Sequence, residues 1–84
     1  MSFTVYVSNR AQRNLKGIPA TDLKRIMAAL EAMQQDPLSG DVVKLKGTDA
    51  FRRRVGNYRI IFSIDFKQLA VGIIDILRRT TTTY

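Results

Sequence analysis

Arginines are the residues of this sequence best suited to chemistry, because the chain contains no histidine and no cysteine. Its C-terminal half holds a run of three arginines at 52–54, one more at Arg59, and a pair at Arg78 and Arg79. A guanidinium group keeps its charge at physiological pH and matches phosphate oxygens with two parallel hydrogen bonds. The missing thiol and imidazole exclude a disulfide scaffold, a thiolate zinc site and a cysteine nucleophile, and they remove the usual general base. The sequence therefore favours chemistry that depends on cations beside an anionic ligand.

The positive charge of the chain is concentrated in this C-terminal half. The 84 residues carry a formal charge of +7, from 14 lysines and arginines against seven carboxylates. Residues 1–43 hold five cations and four acids, whereas residues 44–84 hold nine cations and three acids. A basic surface of this kind is typical of proteins that bind a polyanion such as nucleic acid. A solvated surface that only keeps a small protein soluble is the alternative interpretation.

Cleavage of RNA is a reaction that such a set of cations can support. Attack of a 2′-hydroxyl on the neighbouring phosphate needs a base, an acid for the leaving 5′-oxygen, and cations that stabilise the transition-state charge. The arginines supply the cations, and Tyr84 or Lys46 is a candidate proton carrier. An ordinary exposed chain end is the alternative interpretation for Tyr84. Without histidine, we expect an enzyme of this kind to depend on a partner that positions the substrate.

Length and composition predict one folded domain over residues 1–84. A chain of this size buries roughly 60–65% of its unfolded surface, which allows a single small core. The hydrophobic fraction of 45% fits a folded domain and argues against disorder. No run of apolar residues is long enough to span a membrane, and residues 1–7 lack the charge pattern of a signal peptide. We therefore expect a cytoplasmic protein.

Two helices are predicted in the N-terminal half, after a strand at residues 2–7. The first helix begins with an N-cap at Ser8 or Asn9 and stops near Gly17. The second begins between residues 19 and 22, where a proline fits the first turn, and ends at Pro37. One apolar stripe of the second helix has helical spacing and is expected in the core. It consists of Leu23, Ile26, Met27, Leu30 and Met33.

Strands dominate the C-terminal half. Residues 51–55 and 58–64 are predicted strands joined by a tight hairpin, and residues 69–77 are apolar on both faces, as in a central strand. Between residues 38 and 50 we expect a loop or a short edge element that turns Lys44 and Lys46 outward. The predicted fold class is α+β, with two N-terminal helices packed on an antiparallel sheet that ends in a three-strand meander.

The two-residue period of a strand sorts the arginines onto faces. Tyr58 begins the core-facing set of residues 58–64, so Arg59 points the other way. Arg52 and Arg54 share that outward face across the hairpin, and the three guanidinium groups can converge there. Arg78 leaves the end of the last strand, near the start of its antiparallel neighbour. Protection of a sheet edge is the alternative interpretation of these arginines.

Three sequence blocks follow the predicted helices in a distinctive order. They are VKLKG at residues 43–47, FRRRVGNYRIIF at residues 51–62, and the arginine pair at residues 78–79. Together they resemble the RelE/ParE superfamily of bacterial toxins, and the resemblance covers nearly the whole chain. It implies a small RelE-like domain, a toxin that a cognate antitoxin neutralises by wrapping around it. In this superfamily the RelE branch cuts mRNA in the ribosomal A site without a metal, and the ParE branch poisons DNA gyrase.

The resemblance also implies roles for individual residues. Arg59, which follows the strand tyrosine, is similar to the phosphate-stabilising arginine of a RelE-type site. The ending from Arg78 to Tyr84 resembles a RelE-type pair in which a C-terminal arginine is the proposed acid and a tyrosine stacks on the base. The implied substrate-binding residues match the remaining basic positions of the blocks. They are Lys44, Lys46, Arg52, Arg54 and Arg79. No cofactor and no metal are implied.

Three functions are consistent with these observations. The first is a ribosome-dependent endoribonuclease toxin, whose partners are the cognate antitoxin, the ribosome and mRNA. The second is a ParE-like inhibitor of DNA gyrase, which needs no catalytic residue. The third is a non-catalytic RNA- or DNA-binding module, which predicts strongly salt-dependent binding without growth arrest.

Overall fold

The computed structural model describes residues 2–78. The described residues form two helices and five strands, in the order β1 (Thr4–Val7), α1 (Asn9–Lys16), α2 (Ala20–Gln35), β2 (Val42–Lys44), β3 (Phe51–Val55), β4 (Tyr58–Asp65) and β5 (Ala70–Arg78). This order confirms the predicted α+β class. The segment expected as a loop or short edge element contains the three-residue strand β2.

The strands form one mixed sheet in the order β1-β5-β4-β3-β2. Strands β3 to β5 form the predicted three-strand antiparallel meander, and β2 adds to β3 as a further antiparallel strand. Strand β1 instead lies parallel to β5, with Tyr6 opposite Gly72. The predicted antiparallel sheet therefore has one parallel pair, at this edge. A parallel neighbour requires a crossover, and the chain makes its crossover through the two helices and the meander.

The helix boundaries follow local capping chemistry. Helix α1 begins after Ser8, whose hydroxyl oxygen accepts a hydrogen bond from the backbone N–H of Ala11 at 3.1 Å. It ends at Gly17, the predicted stop, with φ −91° rather than in the left-handed region. Helix α2 begins after Pro19 and ends before Asp36, one residue ahead of Pro37. Proline fits a helix start and blocks helix continuation, so both boundaries agree with the prediction.

The core lies between the helices and one face of the sheet. Its buried residues are Ala11, Ile26, Ala29, Leu30, Met33, Tyr58, Ile60, Phe62, Val71, Ile73 and Ile76. The predicted stripe of α2 is wrong at Met27, which is 50% exposed, whereas Ala29 is buried. Successive helical residues are about 100° apart, so a stripe centred on Ile26 and Leu30 turns Met27 away from the sheet.

Strand β4 shows how the sheet divides into two faces. Tyr58, Ile60 and Phe62 are buried under the helices, and the residues between them point to the opposite face. Both helices contribute to the single core cluster and therefore cover the same face. We call the opposite face, which carries Arg52, Arg54, Arg59, Ile61 and Ser63, the open face. In residues 2–78 no helix covers it.

A β-bulge in β5 changes which residues reach each face. Ile61 pairs with Asp75 whereas Phe62 pairs with Ile73, so Ile74 is an extra residue in β5. The extra residue reverses the alternation of the last residues of the strand. Ile76 is consequently buried on the helix side, and Arg78 pairs with the buried Tyr58.

Candidate nucleic-acid interface

The centre of the candidate site is a group of three arginines on the open face. Arg54 of β3 lies directly opposite Arg59 of β4, and Arg52 lies opposite Ile61 one step further along the same face. Directly opposed residues on antiparallel strands have Cβ atoms about 4.5–5.5 Å apart. The sequence prediction that Arg52, Arg54 and Arg59 share an outward face is therefore confirmed by the register. We call these three residues the arginine cluster.

The arginine cluster holds hydrogen-bond donors that the described residues leave unsatisfied. The Nη1 atom of Arg52 and the Nε atoms of Arg54 and Arg59 are buried and have no hydrogen-bond partner within residues 2–78. An unsatisfied buried donor costs about 1–3 kcal/mol, and like charges directly opposed on a sheet are also destabilising. A site of this kind is suited to an anion, which would satisfy the donors and neutralise the charges together.

The carboxylates of the described residues do not balance this cluster. Within residues 2–78 the one ion pair joins Arg10 Nη1 to Asp75 Oδ2 at 3.9 Å, beside α1. The same carboxylate accepts a 2.7 Å hydrogen bond from Asn14 Nδ2. Asp75, one of three acids in the C-terminal half, is thus held by the first helix. No carboxylate within residues 2–78 therefore forms an ion pair with the arginine cluster.

Arg53 has a different environment although it lies between two members of the cluster. It points to the helix-covered side, opposite Ile60. Its Nη1 donates a hydrogen bond to Ser39 Oγ at 3.3 Å. Its guanidinium packs on Gly40, where an added Cβ would lie 3.1 Å from the Arg53 Cζ atom. Arg53 therefore fixes the loop before β2 and is not part of the site.

The two predicted lysines lie at the β2 edge of the sheet. Lys44 ends β2 opposite Phe51, and Lys46 follows in the loop that leads to β3. Both side chains are exposed and line an open cavity of about 510 Å³. The loop is shaped by Gly47 at φ +78° and by Thr48, whose Oγ1 donates to the Leu45 carbonyl and accepts from the Ala50 N–H. Phe51 stacks on the buried Phe62, so the register directs Lys44 to the helix side of the sheet and not to the face of the arginine cluster.

Arg78 lies on the other side of the sheet from Arg59. It pairs with Tyr58, while its neighbour Leu77 pairs with Arg59. It lines a cleft of about 280 Å³ between α1 and the sheet, together with Tyr58 and Asn14. The structure therefore brings the Arg59 and Arg78 backbones close but does not place their side chains on one face. The β5 bulge is the physical reason, because regular alternation would have put Arg78 on the open face.

The sequence analysis expected Tyr58 on the core face but missed its hydrogen bond to a carboxylate of α2. Tyr58 Oη donates a hydrogen bond to Asp22 Oδ2 at 3.2 Å, which ties the start of α2 to the sheet. Burial raises the pKa of Tyr58, and the hydrogen bond and charge of Asp22 raise it further, while the charge of Arg78 opposes them. The two residues are 36 positions apart, and nothing in the sequence links them.

The remaining predicted site residues, Arg79 and Tyr84, lie outside the described residues. Within the described part of the chain, no group of three or more carboxylates is placed to hold a metal ion. Neither helix there combines the length and the apolar content that crossing a bilayer requires.

The fold and the candidate site define a small α+β protein with an arginine cluster on one sheet face, which within residues 2–78 has no helix over it and no ion-pair partner. Residues 5–82 match the model of a family described as the ParE toxin of the type II toxin–antitoxin system, parDE. The chain therefore belongs to this toxin family, within the RelE/ParE superfamily that the sequence blocks resemble.

Relatives from three organisms agree with this placement. The chain is 29% identical to the candidate toxin RelE1 of Methanocaldococcus jannaschii, over 94% of this chain and 92% of the relative. Its fold is similar to that of an archaeal RelE–RelB complex from Pyrococcus horikoshii, with a TM-score of 0.87 and 26% identity over 98% of this chain and 100% of the other. The toxin–antitoxin complex RelBE2 of Mycobacterium tuberculosis gives a TM-score of 0.81 and 25% identity, over 94% and 100%.

Proposed function

We propose that this toxin is a ribosome-dependent endoribonuclease that cleaves mRNA in the A site and so inhibits translation. The observation that carries the proposal is the arginine cluster, with three buried guanidinium nitrogens that lack a partner in the described residues. Guanidinium groups fit the non-bridging oxygens of a phosphate, and these three lie on neighbouring strands of one antiparallel hairpin. The similarity to RelE–RelB structures supports the RelE branch of the superfamily.

The proposed chemistry is attack of a 2′-hydroxyl on the adjacent phosphate, with expulsion of the 5′-oxygen. Arg59 would stabilise the charge that develops on the phosphate, with Arg52 and Arg54 beside it on the open face. The 2′-hydroxyl proton would pass to a base, for which the residues of suitable type are Lys46 and, outside the described residues, Tyr84. No step of this scheme requires a metal or another cofactor.

Arg78, at the end of β5, is the proposed general acid. Its Cα partner is Tyr58, the residue before Arg59, so its backbone is a diagonal neighbour of the cluster. In the proposal, the long side chain of Arg78 turns round the sheet end to protonate the leaving 5′-oxygen. The same proposal assigns Lys44, Lys46 and Arg79 to contacts with the substrate backbone.

A cognate antitoxin is the proposed regulator. The complexes from Pyrococcus horikoshii and Mycobacterium tuberculosis pair their toxins with an antitoxin. An acidic, partly disordered chain that folds on binding would cover an exposed basic face well. Action on ribosomes would place the free toxin in the cytoplasm.

The test is cleavage of mRNA on purified ribosomes that hold a defined codon in the A site. We expect the wild-type toxin to cut the A-site codon and to leave the same mRNA intact without ribosomes. Arg59→Ala should lower the single-turnover rate by roughly 100-fold, as loss of a transition-state donor does. Arg13→Ala, an exposed arginine of α1, is the matched control and should cleave at the wild-type rate.

Two results would contradict the proposal. One is the absence of A-site cleavage by wild-type toxin that arrests cell growth. The other is full cleavage by a double variant that combines Arg78→Ala with Tyr84→Phe.

Inhibition of DNA gyrase is the second candidate, and the match to the ParE family model favours it. This function needs no proton carrier, so it is compatible with the separation of Arg78 from the arginine cluster. It predicts DNA damage and inhibited supercoiling by purified gyrase, with mRNA left intact. The two assays, run on the same preparation, distinguish the candidates.

A further inference from the structure

Tyr6 is an aromatic residue on the open face that neither the sequence blocks nor the proposed cleavage scheme uses. Its neighbours in β1, Val5 and Val7, pack against the core, so Tyr6 points to the opposite side. Its side chain is 62% exposed. A tyrosine packed on the core would have a small exposed fraction. The Tyr6 side chain is instead accessible to a ligand.

The residues beside Tyr6 on the open face, Gly72 and Ser63, are small, and we call them the floor. Tyr6 pairs with Gly72 in β5, and Gly72 pairs with Ser63 in β4, so the three form one row across the sheet. Gly72 contributes no side chain, and an added Cβ there would lie 3.3 Å from Ser63 Oγ. The row therefore places no large side chain next to the exposed ring.

We propose that Tyr6 and this floor form a stacking platform for an unpaired base of the RNA whose phosphates the arginine cluster holds. The inference rests on the proposed function for its ligand, which is single-stranded RNA. Aromatic side chains on a sheet face stack bases of any identity, because every base has a π face, while adjacent cations follow the backbone. Tyr6 and the arginine cluster supply these two parts on one surface.

The spacing fits one strand of RNA that crosses the sheet. Ser63 lies four residues along β4 from Arg59, which is about 13 Å at the usual rise of a strand. Tyr6 lies two strands further across, or roughly 10 Å. The platform would therefore bind a base several nucleotides from the phosphate at Arg59.

The open face also shows where the RNA path ends. Beyond the platform, Thr4 pairs with Ala70 and Ala70 pairs with Asp65. The Asp65 carboxylate accepts the backbone N–H groups of Lys67 and Gln68, so it is fixed in the turn after β4. A carboxylate at this position repels phosphate. The proposed RNA path is therefore limited to the part of the open face between Tyr6 and the β2 edge.

The experiment uses ribosome-free binding of a short single-stranded RNA that carries the fluorescent base 2-aminopurine at successive positions. Stacking on an aromatic ring quenches this fluorophore. We expect one position to be quenched by the wild-type toxin and by Tyr6→Phe, which keeps the ring. Tyr6→Leu, which keeps an apolar side chain without a π face, should lose that quench and bind about tenfold more weakly. Thr4→Ala, on the same strand and face, is the matched control and should behave as wild type.

The same variants are then assayed for A-site cleavage and for binding to the cognate antitoxin. Tyr6→Leu should raise the KM for programmed ribosomes and leave the single-turnover rate at saturation unchanged. If the wild-type toxin quenches the probe through Tyr6 but does not cleave, the stacking inference stands and the proposed function fails. If the wild type cleaves while Tyr6→Leu keeps the quench and the affinity, the inference alone fails. Failure of the wild type to bind the RNA, or a Tyr6→Leu defect confined to antitoxin binding, would also overturn the inference.

Discussion

The two faces of the sheet differ in whether their polar side chains have hydrogen-bond partners. On the helix-covered face, Tyr58 donates its hydroxyl proton to Asp22 and Arg53 donates to Ser39. On the open face, the arginine cluster keeps buried nitrogens without a partner in the described residues.

This difference distinguishes the helix-covered face, which stabilises the fold, from the open face, which exposes charged groups to solvent and ligands. Polar groups under the helices are paired, as buried groups in folded proteins generally are. Opposed charges of one sign and unsatisfied donors lower stability, so their concentration on one face supports the proposal that this face binds a ligand. The comparison leads to four expected outcomes, which follow from the largest to the smallest.

Truncation of the core on the helix-covered face should have the largest effect on stability. Phe62 is fully buried and stacks on Phe51 with ring centroids 5.6 Å apart. Phe62→Ala should lower the free energy of unfolding by about 3–5 kcal/mol, because it leaves a cavity. Urea denaturation measures this value. Phe66→Ala, which removes a ring that is 60% exposed, should cost far less, and equal losses would show that the helix-covered face does not hold the core.

Removal of a charge from the open face should reduce activity rather than stability. Arg59→Ala should slow RNA cleavage by a factor that corresponds to about 2.7–4 kcal/mol of transition-state stabilisation. The thermal midpoint of the variant should not fall, because it also removes an opposed charge from Arg54. A variant that unfolds at lower temperature would indicate that Arg59 has a structural role.

Relief of charge repulsion on the open face should stabilise the protein modestly. Arg54→Gln removes one partner of the opposed pair while it keeps a polar side chain of similar reach. We expect a gain of about 0.2–1 kcal/mol in the free energy of unfolding at low salt, and a smaller gain at high salt, where the charges are screened. Urea titrations at two ionic strengths test this expectation. A loss of stability at both salt concentrations would contradict it.

The buried phenol should make stability depend on alkaline pH. The pKa of Tyr58 is raised in the folded protein, first by burial and then by Asp22. Its contribution is therefore fully present below the ordinary tyrosine value of 10.0 and is lost as the pH rises through the folded value. The unfolding free energy of the wild type should therefore fall as the pH rises above the ordinary tyrosine pKa. In Tyr58→Phe, the plot of unfolding free energy against pH should be flatter in this range. An alkaline loss of stability that persists unchanged in Tyr58→Phe would contradict this expectation.

Local patterns in the sequence predicted much of the fold and the shared face of the arginines in the candidate site. Capping residues placed both helices, and alternation placed Arg52, Arg54 and Arg59 on one face. These features depend on neighbours in sequence or on a short hairpin, which is why patterns predict them.

Two features were not predictable because they depend on distant parts of the chain. The parallel pairing of β1 with β5 joins residues more than 60 positions apart. The bulge at Ile74 reverses the side on which Arg78 leaves the sheet, and no residue pattern marks it. The same bulge accompanies the contact of Asp75 with α1. Only the strand register therefore shows that Arg78 and the arginine cluster lie on opposite faces of the sheet.

The most direct measurement compares two charge-matched triple variants in the A-site cleavage assay. One replaces the arginine cluster with glutamines (Arg52→Gln, Arg54→Gln and Arg59→Gln). The other replaces three exposed cations of the helices (Arg13→Gln, Lys16→Gln and Lys24→Gln) and so lowers the net charge equally. We expect the first variant to lose cleavage by more than about 100-fold and the second to stay within a few-fold of wild type. Equal losses in both would show that the total positive charge, rather than the open face, determines activity.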